Sequence, residues 1–315
     1  MRIGLDVMGG DYAPLNTVSG AIDVYSKLNP GTKLYLLGDQ FRITEICSQK
    51  GFDPGNFIIV HCSQTIKMDD HPVKSYQKKQ DSSIVVGFNM LRNGQIDALA
   101  SAGNTGAVLT GSYQTLKPLP GIMRPCISVE MPLLNGKKML ILDVGFNVDS
   151  KPDVLYQFGI LGSIYARAMM GISRPRVALL NVGEEEEKGN MVTKEAYKLM
   201  SDSTDFDFVG NMEANRLFDG DIADVLVTDG FSGNICLKQA EGMYNLLRKL
   251  NIKNDFLEGY NYEDYGGTPV LGVPAPVIIG HGASSPLAVA NMITSTERAL
   301  ERDLVGKFKE VLLRN

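Results

Sequence analysis

A three-layer, Rossmann-like α/β fold on a mainly parallel sheet is predicted by three features of the 315-residue sequence. Short β-branched runs are apolar at successive positions, as strands are when both sheet faces are covered. Helix-like stretches stand between these runs, the order that gives parallel strands with crossover helices. The strands also end repeatedly in Gly with Asp or Asn just before the next helix. That is where open α/β sheets bind ligands.

In chain order, the strands are expected at RIGLD (2–6), KLYLLG (33–38), FIIVH (57–61), IDALAS (96–101), KMLILDVG (138–145), RVALLNVG (176–183), DVLVTDG (224–230) and PVIIGHG (276–282). Helices are expected near 14–28, 39–50, 82–93, 105–117, 152–171, 191–201 and 233–250, with a last one from Ser284 onward. One stretch breaks the rhythm. CISVEMPLLNGKKMLILDV (126–144) is two strand-like runs around Asn135 and Gly136, and Asn-Gly supplies the positive φ values of a tight turn. An antiparallel hairpin excursion is therefore expected. Residues 251–270 are polar, aromatic and Gly-rich, and read as a loop with only short helix. There is no repeat or clear linker, so 1–315 reads as a single domain.

Composition narrows the function. Net charge is −5, which disfavours general nucleic-acid binding. Cys47, Cys62, Cys126 and Cys236 form no CxxC pair and read as reduced cytosolic thiols. No signal peptide is expected at the N-terminal RIGLD, and no run reaches the ~18 apolar residues of a spanning helix.

The chemistry should sit at the strand ends. In SAGNTGA, Gly103 and Gly106 let backbone approach a ligand, Asn104 lies between them, and Thr105 is placed to cap the next helix, whose free N–H groups suit an anion. A plain strand-to-helix turn is the alternative. In DVMGGDYAP, Asp6 and Asp11 flank Gly9 and Gly10, which read equally as close approach to a ligand or as tight packing; Pro14 suits a first helical turn. DGFSGN places Asp229, Gly230, Gly233 and Asn234 before a helix carrying Lys238; Asn234 is a donor for a carbonyl or phosphate oxygen, or a cap. Ser82 and Ser83, preceded by Lys74, Lys78 and Lys79, suit an anion, or an N-cap beside a solvated basic face.

NVGEEEEKGN (181–190) runs four glutamates into Lys188. Adjacent carboxylates do not converge on one metal, and no His joins them. The favoured expectation is that some glutamates fix the loop and Lys188 by local pairing while Lys188 points at an anionic ligand; a surface run is the alternative. His281 ends a strand before Gly282 and is placed to donate a proton to a leaving group. No Ser-His-Asp or Cys-His constellation, P-loop or GxGxxG appears. Many anion-friendly loops without a protein nucleophile point to a ligand that supplies its own.

Together DVMGGDYAP, SAGNTGA, LDVGFNVDSKP, ALLNVGEEEEKGN, VGNMEANRLFDGDIADVLVTDGFSGN and GHGASS resemble, in order, the bacterial phosphate acyltransferase (PlsX) family. The resemblance implies transfer of a fatty acyl group from acyl carrier protein to inorganic phosphate, giving acyl phosphate for phospholipid synthesis. It implies a fold like phosphotransacetylases and isocitrate dehydrogenase, a cytoplasmic homodimer at or near the inner face of the membrane, a downstream glycerol-3-phosphate acyltransferase, and no cofactor or metal. Phosphate would then be the nucleophile, with Lys188 and Asn234 for its charge and the oxyanion, and His281 as the lesser candidate at the thiolate. Asp6, Gly9, Gly10, Asp11, Ser82, Ser83, Gly103, Asn104, Thr105, Gly106, Asn147, Asp229, Gly230, Gly233 and Lys238 would line the substrate site. Acyl carrier protein is acidic, so Lys74, Lys78 and Lys79 become its docking candidates. Where the family carries a longer helical insertion tied to dimer contacts and membrane attachment, this chain has only 243–264. The rivals are a short-chain phosphate acyltransferase using acyl-CoA, a dehydrogenase of the related fold, and a binding protein without activity.

Overall fold

The computed structural model describes residues 1–261, 263 and 266–312. The chain divides into two compact units, Met1–Leu119 with Tyr262–Val305 and Pro120–Asn261 with Gly306–Asn315.

The first unit holds β1 (Arg2–Asp6), α1 (Leu15–Tyr25), β2 (Lys33–Gly38), α2 (Gln40–Gln49), β3 (Ile58–His61), α3 (Pro72–Lys78), α4 (Ser83–Arg92), β4 (Ala98–Ser101) and α5 (Thr105–Gly111). After the second unit the chain returns through β10 (Thr268–Leu271), β11 (Val277–Ile279) and α10 (Pro286–Glu301). Strands β3, β2, β1, β4 and β11 run parallel in that order, and β10 pairs antiparallel with β11. Two helical layers follow from side-chain alternation along each strand. Leu36 joins the buried cluster of Val18, Ile43 and Val289 from α1, α2 and α10. Its neighbour Leu37 faces the other way, where a Cβ on Gly87 of α4 would lie 2.9 Å from it. Apolar residues at successive positions, such as Leu36 and Leu37, are thus buried because both faces are covered.

The second unit holds β5 (Cys126–Pro132), β6 (Lys138–Leu142), α6 (Pro152–Tyr165), β7 (Arg176–Asn181), α7 (Met191–Ser201), β8 (Asp207–Glu213), β9 (Val225–Val227), α8 (Gly230–Lys249) and the one-turn α9 (Asp255–Glu258). Its sheet order is β5-β6-β9-β7-β8, parallel except for the β5–β6 hairpin. A further helix, α11 (Leu304–Leu312), starts at the end of the first unit.

The antiparallel excursion forms where it was expected, with a different turn. Pro132 pairs with Lys138, so the loop is residues 133–137, and only Gly136 has positive φ (77°). Leu133 accepts from Gly136 N–H at 3.0 Å, and Asn135 Oδ1 takes the Lys137 N–H instead of adopting the left-handed conformation. Three elements were not anticipated. β8 carries polar residues at its exposed edge, α3 lies inside a segment that reads as polar, and β10 begins within the expected loop 251–270. α8 begins three residues before its expected start because Asp229, not a later residue, caps it.

Candidate active site

In the first unit, the carboxyl ends of β1, β4 and β11 carry three loops that touch one another. Asp6 is completely buried, accepting from Met8 N–H at 3.0 Å and from the Ser101 hydroxyl at 2.7 Å. Burial pushes its carboxyl pKa up; donors on Ser83, Ser101 and the Met8–Gly9 backbone work against that. Ser101 Oγ in turn accepts from Gly103 N–H at 3.1 Å. A Cβ on Gly9 would stand 2.4 Å from Asp6 Oδ2 and 2.6 Å from Gly103 Cα. Of the two uses open to Gly9, the structure shows packing, backbone on backbone. Gly10 has φ +113°, and Asp11, itself exposed, donates its N–H to Gly282 O at 2.8 Å.

Asn104, not Thr105, caps α5: its Oδ1 accepts from Ala107 N–H at 3.0 Å. Its amide nitrogen serves the carbonyls of Lys67 (3.1 Å), Met68 (3.1 Å) and Asp70 (3.0 Å). Asn104 therefore staples the 67–70 loop, because Asn can cap a helix and donate outward at once. Gly106 packs against Pro72, and Thr105 is exposed at the first helical position. Ser82 and Ser83 are both buried at the start of α4; Ser82 Oγ makes no hydrogen bond and Ser83 turns to Asp6. Lys74 and Lys78 are exposed on α3, whereas Lys79 bonds to Asp70 and to Thr65 O at 2.8 Å. His281 is exposed, with Nδ1 accepting from Ala283 N–H at 3.2 Å.

In the second unit, a buried aspartate that the sequence reading passed over organises the ends of β6 and β9. Asp143 accepts from the backbone N–H of Ile127 (3.0 Å), Phe146 (3.1 Å) and Asn147 (2.6 Å), and from Asn147 Nδ2 (2.8 Å). Burial raises its pKa against those donors. The Asn147 amide is committed to Asp143 and to Pro125 O at 2.7 Å. Gly230 donates to Asn147 O at 2.7 Å, and a Cβ on Gly233 would sit 2.0 Å from Asp143 O, so only glycines let the start of α8 lie on this loop. Asp229 caps α8, accepting from Ser232 N–H at 2.6 Å. Asn234 is exposed in the first turn of α8, beside Gly145. Lys238, also exposed, pairs with Glu241 at 2.7 Å.

The acidic loop shows the local glutamate pairing that was expected, and two asparagines that were not anticipated hold its backbone as well. Asn181 donates to Lys188 O at 3.2 Å and to Asn211 Oδ1 at 3.1 Å, and Asn211 donates to Glu185 O at 2.8 Å. Both asparagines are buried, Asn181 at the end of β7 and Asn211 within β8. By contrast Lys188 Nζ lies 4.0 Å from Glu185, and Glu184 reaches Arg216 at 3.6 Å, both exposed pairs of small energetic weight. Gly189 has φ +92°, and a Cβ there would meet Thr193 Oγ1 at 2.1 Å. Lys188 projects from this turn with its side chain half exposed (47%). Asn190 then caps α7 by accepting from Thr193 N–H at 2.9 Å. Within the same unit a pocket of about 460 Å³ opens between this turn and the start of α8, lined by Leu155, Leu179, Asn190, Ala214, Asp229 and Ser232 among others.

An exposed lysine such as Lys188 can hold an anion, and an exposed amide such as Asn234 can donate to a carbonyl oxygen. A thiol nucleophile is not provided. Burial raises the pKa of all four cysteines, Cys62 to about 12, so they stay protonated near neutrality. Among the described residues no helix is long and apolar enough to cross a membrane.

A family model described as "Fatty acid synthesis protein" matches residues 1–307. The chain is 41% identical over 315 residues to a phosphate acyltransferase of Myxococcus xanthus, covering 93% of this chain and 88% of that one. It is 40% identical over 334 residues to a phosphate acyltransferase of Brevibacillus brevis, covering 100% and 98%. Among solved structures, a phosphotransacetylase from Streptococcus pyogenes superposes with TM-score 0.65 at 17% identity, covering 96% of this chain and 94% of that one. At that identity the likeness shows the fold.

Proposed function

The chain belongs to the fatty acid synthesis protein family, that of the phosphate acyltransferases, and on that premise we propose that its acyl donor is a fatty acyl thioester of acyl carrier protein. The protein transfers an acyl group to phosphate, making acyl phosphate for phospholipid synthesis. A phosphate oxygen attacks the thioester carbonyl, the C–S bond breaks, and the thiolate leaves and takes up a proton. The protein's task is to hold a dianion against the carbonyl and to stabilise the oxyanion that develops. In our reading Lys188 carries the phosphate or oxyanion charge and Asn234 donates a hydrogen bond. His281 takes the lesser part of protonating a leaving group that needs little help.

The observation that supports this reading is the fixed turn at Lys188: two buried asparagines bond its backbone, Gly189 after it is left-handed, and the lysine side chain stands half exposed. The other polar residues anticipated as ligands in the second unit divide in use. Asn147 serves the fold, and Asp229 keeps one carboxylate oxygen outside its cap. The acidic carrier protein would dock on Lys74 and Lys78. A homodimer in the cytoplasm, peripheral contact with the membrane and hand-over of acyl phosphate to a glycerol-3-phosphate acyltransferase complete the proposal.

Rates with long-chain acyl carrier protein and with acetyl-CoA, each with labelled phosphate, test it. The proposal expects faster acyl phosphate formation from the carrier protein. Preference for acetyl-CoA would make this a short-chain enzyme.

A further inference from the structure

We infer that the pocket between Asn190 and Ser232 holds the amide-bearing pantetheine arm of the acyl donor. This rests on the reading above, that the enzyme acylates phosphate from a thioester. Two other occupants of a phosphate acyltransferase site fit the pocket poorly. A phosphate dianion needs a cation, and among the described residues no Lys, Arg or His lines this pocket, while Asp229 does. A fatty chain needs an apolar wall throughout, and here Asn190, Thr193, Thr228, Asp229 and Ser232 interrupt it.

A neutral chain of amides and methylenes matches both halves of the lining. Leu180, half-buried, and Val182, exposed, supply the apolar side. On the polar side, Asn190 uses Oδ1 on the Thr193 N–H, which leaves its Nδ2 as a donor for an amide carbonyl. Asp229 uses Oδ1 on the Ser232 N–H, which leaves Oδ2 as an acceptor for an amide N–H. The Ser232 hydroxyl can act as either. The volume, about 460 Å³, lies within the roughly 300–1,000 Å³ of small-molecule sites.

Gly189 of the turn after β7 lines one wall of the pocket, and Ser232 of α8 lines the other. The arm is common to carrier-protein and coenzyme A thioesters, so the pocket would read the arm and not its carrier.

The test compares three palmitoyl donors with labelled phosphate: the carrier-protein thioester, the coenzyme A thioester and a simple alkyl thioester without amides. Ala214 is exposed at the pocket rim, so Ala214→Phe fills the space from outside. The wild type should prefer both arm-bearing donors in kcat/KM, and Ala214→Phe should cut that preference at least about tenfold for both alike. Ser232→Val, a smaller change, should reduce the same preference in the same direction should Ala214→Phe fail to fold. Equal losses on all three donors, a loss confined to the carrier protein, or a wild type indifferent to the arm would each overturn the inference. If the wild type forms no acyl phosphate from any donor, the underlying activity itself is refuted, a separable result.

Discussion

The side-chain amide of Asn181 donates to the backbone carbonyl of Lys188 at 3.2 Å, so this lysine is positioned from below, through its own main chain. Asn211 supports the same turn through Glu185 O and is bonded to Asn181. Removing one amide leaves partners unpaired in a buried place, at a cost of about 1–3 kcal/mol. Asn211→Ala should therefore lower the melting temperature and reduce turnover several-fold. In a Lys188→Ala background it should reduce turnover no further, because both changes act on one charge. Additive losses in a double-mutant cycle would show that Asn211 acts elsewhere.

Lys188→Ala itself should lower turnover at least about tenfold, as expected when a charge that stabilises a transition state is lost. Its side chain is half exposed and its ion pair long, so thermal stability should hardly change. Wild-type turnover in this variant would make the acidic loop a surface feature only.

Carrier-protein docking through Lys74 and Lys78 predicts a salt effect. Raising ionic strength should raise KM for the carrier-protein donor much more than for coenzyme A, since exposed charges are screened. The double charge reversal Lys74→Glu, Lys78→Glu should reproduce this at low salt. Lys79 is left out because Asp70 and Thr65 already engage it. A KM indifferent to both changes would remove these lysines from the interface.

Stability towards acid should depend on Asp97. The hydrogen bond from the Arg2 side chain holds its pKa below the usual carboxylate value, with burial opposing. A carboxyl lowered in the folded state stabilises above its unfolded pKa, about 3.9, and that support is lost as pH falls through the folded value. The melting-temperature gap between wild type and Asp97→Asn should thus be full above about pH 4 and shrink below it. Asp6 and Asp143 have the opposite sign, since burial raises both: their favourable contribution exists only in acid and is lost as pH rises through their folded values. A gap that stays constant down to pH 2.5 would contradict the Asp97 assignment.

Much of the fold could be read from the order of residues. Runs such as KLYLLG became strands because hydrophobicity at successive positions has one physical meaning when helices cover both faces. β8 escaped notice because DFVGNME, whose Gly210 has φ +96°, carries neither a continuous apolar run nor clean alternation. At the site, the strand-end glycines were legible as places of close approach, but not which partner approaches. Gly9 meets Gly103, and Gly233 meets Asp143, contacts made between segments far apart in sequence. Asn104, Asn147, Asn181 and Asn211 show the same limit. An asparagine after a strand looks like a ligand until the carbonyls it satisfies are known, and those lie up to 37 residues away. Asp143 could have been found from the parallel between LDVG and LDVM, each with an Asp at or just past the end of a strand and before a Gly loop.

The most direct measurement is to incubate the protein with palmitoyl carrier protein and labelled orthophosphate and to follow label entering acyl phosphate together with release of free carrier thiol. The account predicts equal amounts of both products, formed only when phosphate is present and largely lost with Lys188→Ala. Thiol release without phosphate, or with no label in an acyl product, would contradict it.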